Sequence, residues 1–395
     1  MKIAIIGKHR AERLVSAVAG RRQAEIVLCG PIDVSSFVGL GTRYRRLALD
    51  ADEAAVLSAL EDEQIDVVIP SLNPLNQEQT LPMLTAACLR WSGPGRHAVV
   101  HSPAFADLAT DKVYFHRTAV SRGWPVPNGM QCASIRELII AAGELELPLM
   151  VKQARSMPRE GRWYIESVDQ LAELTTTKFP LLAQRACCGE EFGLELLTSD
   201  GHTTCWPVAS FGPLDPEGMP TWRCRVMPVK LPTSAWIELQ RFIEEVTAAF
   251  TPHGPWQIDF AVCAGQLQIL EVNGRLGGMT DLSWAVTGVD PYEAFAAVAL
   301  RQPSVEPAPQ RIAMELPVRN DVDLENLPEA SQGVHVQPQL PLPTNCWTNE
   351  SLRILVAAAD GIALRAWLRS FGRDLLVRDL SEALSVAEKG FLETL

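Results

Sequence analysis

Gln257-Ile258-Asp259-Phe260-Ala261-Val262-Cys263-Ala264-Gly265-Gln266-Leu267-Gln268-Ile269-Leu270-Glu271-Val272-Asn273-Gly274-Arg275 reads as two short strands, Ile258–Cys263 and Gln266–Glu271, folded into a hairpin with Gly265 in the turn. Glu271 and Asn273 are two apart at a strand end and share a face. Whether Asp259 joins them depends on register. A two-residue turn at Ala264-Gly265 pairs Asp259 with Leu270 and sends Glu271 to the other face. A three-residue loop, Ala264–Gln266, pairs Asp259 with Glu271 and converges both carboxylates. The three-residue loop is the expectation, since such loops often carry a bulge with Gly at a left-handed position. Two carboxylates and an amide oxygen form a hard oxygen site suited to Mg²⁺ bridging nucleotide phosphates. The plainer alternative is a set of acidic residues at a sheet edge, facing water. Arg275 follows among Gly274, Gly277 and Gly278. A guanidinium there can hold a phosphate or a carboxylate in a fork, and the glycines permit close approach or simply make a turn.

Upstream of the hairpin, Trp236, Leu239, Phe242, Ile243, Val246, Ala249 and Phe250 fall at helical spacing, which predicts an amphipathic helix over Ser234–Phe250. Phe192–Leu197 and Leu181–Gln184 are strands around the tight segment Cys187–Glu190. Leu149–Lys152 is a strand that ends on a cation. Capping boxes open helices at Ser134-Ile135-Arg136-Glu137 and Ser167-Val168-Asp169-Gln170. Asp111–Arg122 is helical and stops at Gly123, before Pro125 and Pro127. Lys112 stands at the start of that helix, where the macrodipole disfavours a cation. An anionic ligand would reconcile the conflict; a solvated lysine is the ordinary reading of either Lys112 or Lys152.

The first 105 or so residues alternate buried-strand runs (Lys2–Ile6, Glu25–Cys29, Asp66–Pro70) with helical patterns (Ala11–Ala19, Asp52–Leu60, Gln77–Leu89), as a doubly wound sheet does. The exit from the first strand, Gly7-Lys8-His9-Arg10-Ala11, lacks the GxGxxG of a dinucleotide site and argues against a nicotinamide enzyme. From about Gln302 the composition turns linker-like, with Pro303, Pro307 and Pro309. A second Pro-rich stretch spans Pro338–Pro343. Strands at Leu352–Ala357 and Leu375–Val377 and a helix at Leu380–Leu392 complete the tail.

Composition narrows the function. The chain has 395 residues, 47% apolar and 21% charged, the profile of a folded protein of two or three domains. Its net charge of −12 and pI near 5.2 repel a nucleic-acid backbone. No apolar run reaches the length of a membrane span, and the N-terminal apolar run is too short for a signal peptide. Nine cysteines without a CxxC pair, and histidines without an HxH or HExxH pattern, predict reduced thiols in a cytoplasm rather than a disulfide framework or a zinc site.

The order of motifs resembles the ATP-grasp superfamily of carboxylate–amine or thiol ligases. The matching stretches are Thr110-Asp111-Lys112 with Gly123-Trp124-Pro125-Val126-Pro127, then Leu147–Lys152, then Ala183-Gln184-Arg185-Ala186-Cys187-Cys188-Gly189-Glu190-Glu191. The last are Gln257–Phe260 and Glu271–Arg275. The resemblance implies an α/β fold. A Rossmann-like pre-ATP-grasp domain (1–105) precedes a two-lobed α+β ATP-grasp domain (106–300; small lobe about 113–190, large lobe about 191–300). A smaller C-terminal α/β segment (301–395) has no assigned role.

The resemblance also assigns residues. Lys112 and Lys152 would contact ATP phosphates. Gln184, Arg185 and Ala186 would meet the adenine, with Gln184 where the family often has Glu. Glu191 would bind the ribose hydroxyls. Asp259, Glu271 and Asn273 would hold Mg²⁺, with Mn²⁺ also admissible, and Arg275 would hold the transferred phosphoryl group. The loop after Lys152 departs from the family pattern: in Gln153–Gly161 only Gly161 is a glycine, so Arg155 or Arg159 would supply side-chain contacts in place of backbone cradling. The implied reaction joins a small carboxylate, an amino acid, to an amine through an acyl phosphate. The alternatives are a weakened ATP-binding sensor or partner subunit, and a carboxylase using bicarbonate. Arg223 and Arg225 are candidates for a substrate carboxylate. Trp222, Trp256 and Trp284 are candidates for an apolar side-chain pocket, with the core as the usual place for Trp. The expected partners are small molecules, not nucleic acid or membrane, with a homodimer left open.

Overall fold

Ile3 and Ile5 point to one side of the first strand and Ala4 and Ile6 to the other, and all four are buried. A strand buried on both faces needs helices on both faces, the mark of a parallel sheet in an α/β unit. The computed structural model of the chain describes residues 1–7, 9–31, 42–48, 51–72, 77–156, 161–172, 174, 178–214, 223–318, 334–339, 352–370 and 380–389. In it, β1 (Lys2–Gly7), α1 (Ala11–Arg21), β2 (Glu25–Gly30), β3 (Arg43–Arg46), α2 (Glu53–Asp62), β4 (Val67–Ser71), α3 (Leu81–Trp91) and β5 (His97–Ala98) form the N-terminal unit. Its sheet is parallel, with strand order β3-β2-β1-β4-β5. Asp52 caps α2 by accepting the Ala55 N–H at 2.8 Å.

Two helices lead onward, α4 (Pro103–Thr110) and α5 (Lys112–Arg122). Asp111 caps α5 through the Tyr114 N–H at 2.9 Å, and Gly123 closes it in the left-handed region. The small lobe follows: β6 (Gly129–Cys132), α6 (Ile135–Leu145), β7 (Leu149–Gln153), β8 (Arg162–Ile165), α7 (Val168–Ala172) and β9 (Leu181–Arg185). Its antiparallel sheet runs β6-β9-β7-β8 and packs Leu149, Val151, Leu181 and Ala183 on Leu138 and Ala141 of α6.

The large lobe contains β10 (Glu190–Ser199), β11 (His202–Cys205), β12 (Ala209–Pro213), β13 (Arg225–Met227), α8 (Thr233–Phe250), β14 (Gly254–Cys263), β15 (Gln266–Asn273), α9 (Thr280–Thr287) and α10 (Pro291–Ala299). Of the apolar stripe foreseen on α8, Leu239, Phe242, Ile243, Val246 and Phe250 are buried in one core with Trp124, Phe192 and Phe260, while Trp236 and Ala249 are exposed. The tail supplies β16 (Ile312–Val318), β17 (Val334–Gln339), β18 (Leu352–Ala358), α11 (Gly361–Ser370) and α12 (Leu380–Glu388).

Residues 301 onward do not form a sheet of their own among the described residues. β16, β18 and β17 continue the large-lobe sheet in the order β15-β14-β10-β12-β13-β16-β18-β17, with β11 paired to β10. The proline-rich composition around 303–309 marks a connection rather than a boundary between cores, because Met314, Leu316 and Val356 share one core with Phe242 and Trp256. The strand expected at Leu375–Val377 lies outside the described residues. No described helix is long and apolar enough to cross a membrane.

Candidate active site

The turn between β14 and β15 is a two-residue one, not the three-residue loop expected from the sequence. Cys263 pairs with Gln266, and both turn residues take positive φ, Ala264 at 50° and Gly265 at 81°. That is the twist a tight hairpin prefers. Continued unbroken, this register would place Asp259 opposite Leu270. It does not continue: Phe260 pairs with Ile269, and Asp259 with Glu271. Leu270 is the extra residue of a β-bulge, and the bulge resets the side-chain alternation. The convergence of Asp259, Glu271 and Asn273 thus arises by a different device.

Asp259 is gripped from both sides. Gln257 Nε2 donates to Oδ1 at 2.5 Å and Asn273 Nδ2 donates to Oδ2 at 2.9 Å. Burial, then the nearby Glu271 and Glu191 carboxylates, push the Asp259 carboxyl up to about 7. Burial also disfavours the charge on Glu271, but Lys112, Lys152, Arg162 and Arg275 together hold it below the usual carboxylate range. Lys112 Nζ lies 3.8 Å from Glu271 Oε2. Lys152 is brought down to about 8, chiefly by burial, with Arg162 and Lys112 adding and Glu271 opposing. Two adjacent carboxylates, one of which raises the other's proton affinity, with an amide beside them, are a donor set a hard divalent cation would stabilise.

Arg275 is only slightly exposed, and its Nε donates to Glu78 Oε2 at 3.1 Å, across 197 residues of chain. The N-terminal unit is therefore part of the site. Helix α5 and the segment after Lys152 are joined by Lys112 N–H to Ala154 O at 2.8 Å. Arg155 turns to Asp107 and Asp111, at 3.4 and 3.5 Å. Arg159 lies outside the described residues.

The other candidates are placed as follows. Gln184 is buried, with Nε2 3.3 Å from His116 Nδ1. The Arg185 and Ala186 amides donate to Asn128 O and Pro148 O, and the Arg185 side chain meets Glu146 at 3.3 Å. Glu191 is paired with Arg223, whose guanidinium also reaches Gly212 O and Pro213 O. Arg225 donates to Gly278 O at 2.8 Å and meets Glu315 at 3.2 Å, and Arg353 meets the same carboxylate oxygen at 3.2 Å. Trp256 belongs to the core. Trp284, 43% exposed, lines an open pocket of about 250 Å³ with His335, Arg311 and Leu355. Trp222 lies outside the described residues.

No protein-family model matches the chain. The carbamoyl phosphate synthase large chain of Methanothrix thermoacetophila is 25% identical over 201 residues, 49% of this chain and 19% of that one. This chain thus spans about a fifth of that relative's length. The solved N5-carboxyaminoimidazole ribonucleotide synthetase of Thermus thermophilus superposes with a TM-score of 0.75 at 14% identity, over 95% of this chain and 99% of that one. The L-amino acid ligase of Bacillus licheniformis gives 0.72 at 18% identity, over 93% and 96%. The chain has the ATP-grasp fold.

Within the ATP-grasp fold, two residues that sequence reading passed over support the site. Gln257 stands two before Asp259 on the same strand face, a signal that was readable from alternation alone. Glu195, opposite Gln257 in the β10–β14 register, is buried; its Oε2 accepts from Ser283 Oγ at 2.6 Å. Gly277 packs on this pair: a Cβ there would lie 1.7 Å from Gln257 Oε1 and 3.2 Å from Glu195 Oε1. Gly277→Ala must therefore lift Gln257 off Asp259. With Asp259 as a Mg²⁺ ligand, the expected result would be a loss of roughly 10-fold in Mg²⁺ affinity, as for other residues that orient a metal ligand. Titration of turnover against Mg²⁺ checks it; an unchanged half-saturation point would show that Gln257 does not position Asp259.

Proposed function

We propose that this protein is an ATP-dependent ligase that activates a small carboxylate, an amino acid, as an acyl phosphate for attack by an amine. One observation carries the reading. Glu271 stands opposite Asp259 and is acted on by four cations, Lys112, Lys152, Arg162 and Arg275, inside a chain of net charge −12. A local excess of cation around paired acids, against the charge of the whole, is what a triphosphate and its counter-ion need. The likeness to an L-amino acid ligase over nearly the whole chain supports the amino-acid substrate class.

A carboxylate resists attack because its leaving group is oxide; transfer of the γ-phosphoryl group converts that oxygen into phosphate. Such a transfer asks the protein mainly for positioning and charge stabilisation. Lys112 and Lys152 would hold the phosphate chain, and Arg275 the phosphoryl group in flight. Asp259, Glu271 and Asn273 would hold Mg²⁺, which neutralises charge on the phosphate oxygens when bound. Gln184 and the backbone of Arg185–Ala186 would meet the adenine, and Glu191, already paired with Arg223, would accept ribose hydroxyls. Arg225, beside Glu315 and Arg353, is the candidate for the substrate carboxylate. The eight described cysteines are free thiols, which supports a cytoplasmic location.

Incubation with MgATP, each amino acid singly and in pairs, and hydroxylamine as a trap tests the reading. The expected result is ADP release stimulated by particular amino acids, with a matching amino-acyl hydroxamate. Nucleotide binding without stimulated ADP release would support a sensor. Stimulation by bicarbonate in place of amino acids would support a carboxylase.

A further inference from the structure

Glu78 belongs to none of the sequence motifs. It opens a short 3-10 turn, Glu78–Thr80, between β4 and α3, and it is buried. Its Oε2 accepts from Arg275 Nε at 3.1 Å. Its Oε1 is buried and has no hydrogen-bond partner among the described residues. The next residue, Gln79, donates from Nε2 to Ser156 O at 3.2 Å, so the same turn touches the segment that follows Lys152. Glu78 therefore sits where the Arg275 side of the site and the phosphate-loop side meet, with Lys112 and Glu271 near enough to act on its charge.

A buried carboxylate oxygen left without a donor is costly and calls for an occupant. The neighbouring cations Arg275 and Lys112 are donors with no acceptor capacity. They suit phosphate and carboxylate, and they repel an ammonium. The second reactant of a ligase arrives as an ammonium and must lose a proton before its nitrogen has a lone pair to attack with. We propose that Glu78 is the proton acceptor for the attacking amine, its Oε1 receiving an N–H of the incoming ammonium. This assignment rests on the ligase reading above.

The step balances. The ammonium brings three protons. Glu78 Oε1 takes one, and the freed lone pair attacks the acyl carbon. The carbon–oxygen bond to phosphate breaks and its electron pair leaves on the phosphate oxygen. A second proton passes to the departing phosphate, and the amide keeps the third. Burial raises the Glu78 carboxyl above its ordinary value, with Arg275 and Lys112 opposing, which brings it toward the range useful for proton transfer near neutral pH.

If Glu78 only aimed Arg275, its loss would slow every reaction of the acyl phosphate alike. Hydroxylamine separates the two roles, because it is already neutral at neutral pH and needs no base to attack. Glu78→Gln keeps an oxygen for Arg275 Nε but cannot take a proton. It is expected to slow amide formation between two amino acids by about 100-fold, while hydroxamate formation from the same acid falls far less. The acid limb of the amide pH profile should disappear in the same variant, and Glu78→Asp should recover part of the amide rate. Equal loss in both reactions, or an undiminished amide rate, would overturn the assignment. Should Glu78→Gln fail to melt as a folded protein, Glu78→Asp carries the comparison: it must slow amide formation more than hydroxamate formation, and equal slowing overturns the assignment. A wild-type protein that forms no hydroxamate from any amino acid overturns the ligase reading, and this assignment with it.

Discussion

Arg275→Ala is expected to lower amino-acid-stimulated ADP release by about 10³-fold, the scale at which a guanidinium stabilises a phosphoryl group in transfer. The argument is geometric as well as electrostatic. Arg275 is 11% exposed, so its charge acts in a medium that screens it weakly. Glu78 holds Nε, which fixes the plane of the guanidinium and leaves its two terminal nitrogens for the ligand. Lysine supplies the charge without the fork, so Arg275→Lys should recover only part of the loss. Truncation also strands Glu78 as a buried, unpaired carboxylate. The Ala variant is therefore expected to lose stability as well, by about 3 kcal/mol. Measuring single-turnover ADP formation alongside thermal melting separates the two effects. A folded Arg275→Ala variant with undiminished turnover would remove Arg275 from the reaction.

Glu271→Gln should be as damaging, at about 10³-fold in turnover, through a different route. The substitution keeps the shape but removes one of the two charges that would hold Mg²⁺. It also removes the carboxylate that Lys112, at 3.8 Å, and Lys152 both face. The surplus of cations then favours nucleotide without metal. The expected signature is weakened Mg²⁺ dependence together with retained binding of metal-free ATP. Turnover unchanged from wild type would show that the paired carboxylates are not a metal site.

Much of the fold was legible because local rules applied. The capping box at Ser134 places its helix start within a residue, and the helical patterns over Asp52–Leu60 and Asp111–Arg122 begin at residues that cap their helices, whereas α4, capped by Ser102, was not read. The two-sided burial of β1 and the stripe on α8 follow from apolar spacing. Prolines near 303–309 look alike whether they join two cores or lead a chain back to one; pairing of β16 with β13 brings this chain back to the large-lobe sheet.

The order of residue types along the chain already picks out the candidate site residues Lys112, Lys152, Asp259, Glu271, Asn273 and Arg275. It could not decide the register that makes two of them neighbours. A tight turn at Ala264-Gly265 and a bulge at Leu270 shift the alternation in opposite senses, and a bulge depends on what the strand pairs with, not on its own residues. Nor could it reveal Glu78. That carboxylate meets Arg275 only because the N-terminal unit shares a buried core with the large lobe, through Leu276, Tyr292 and Phe295. Contacts set by how two units dock leave no periodic trace in either one.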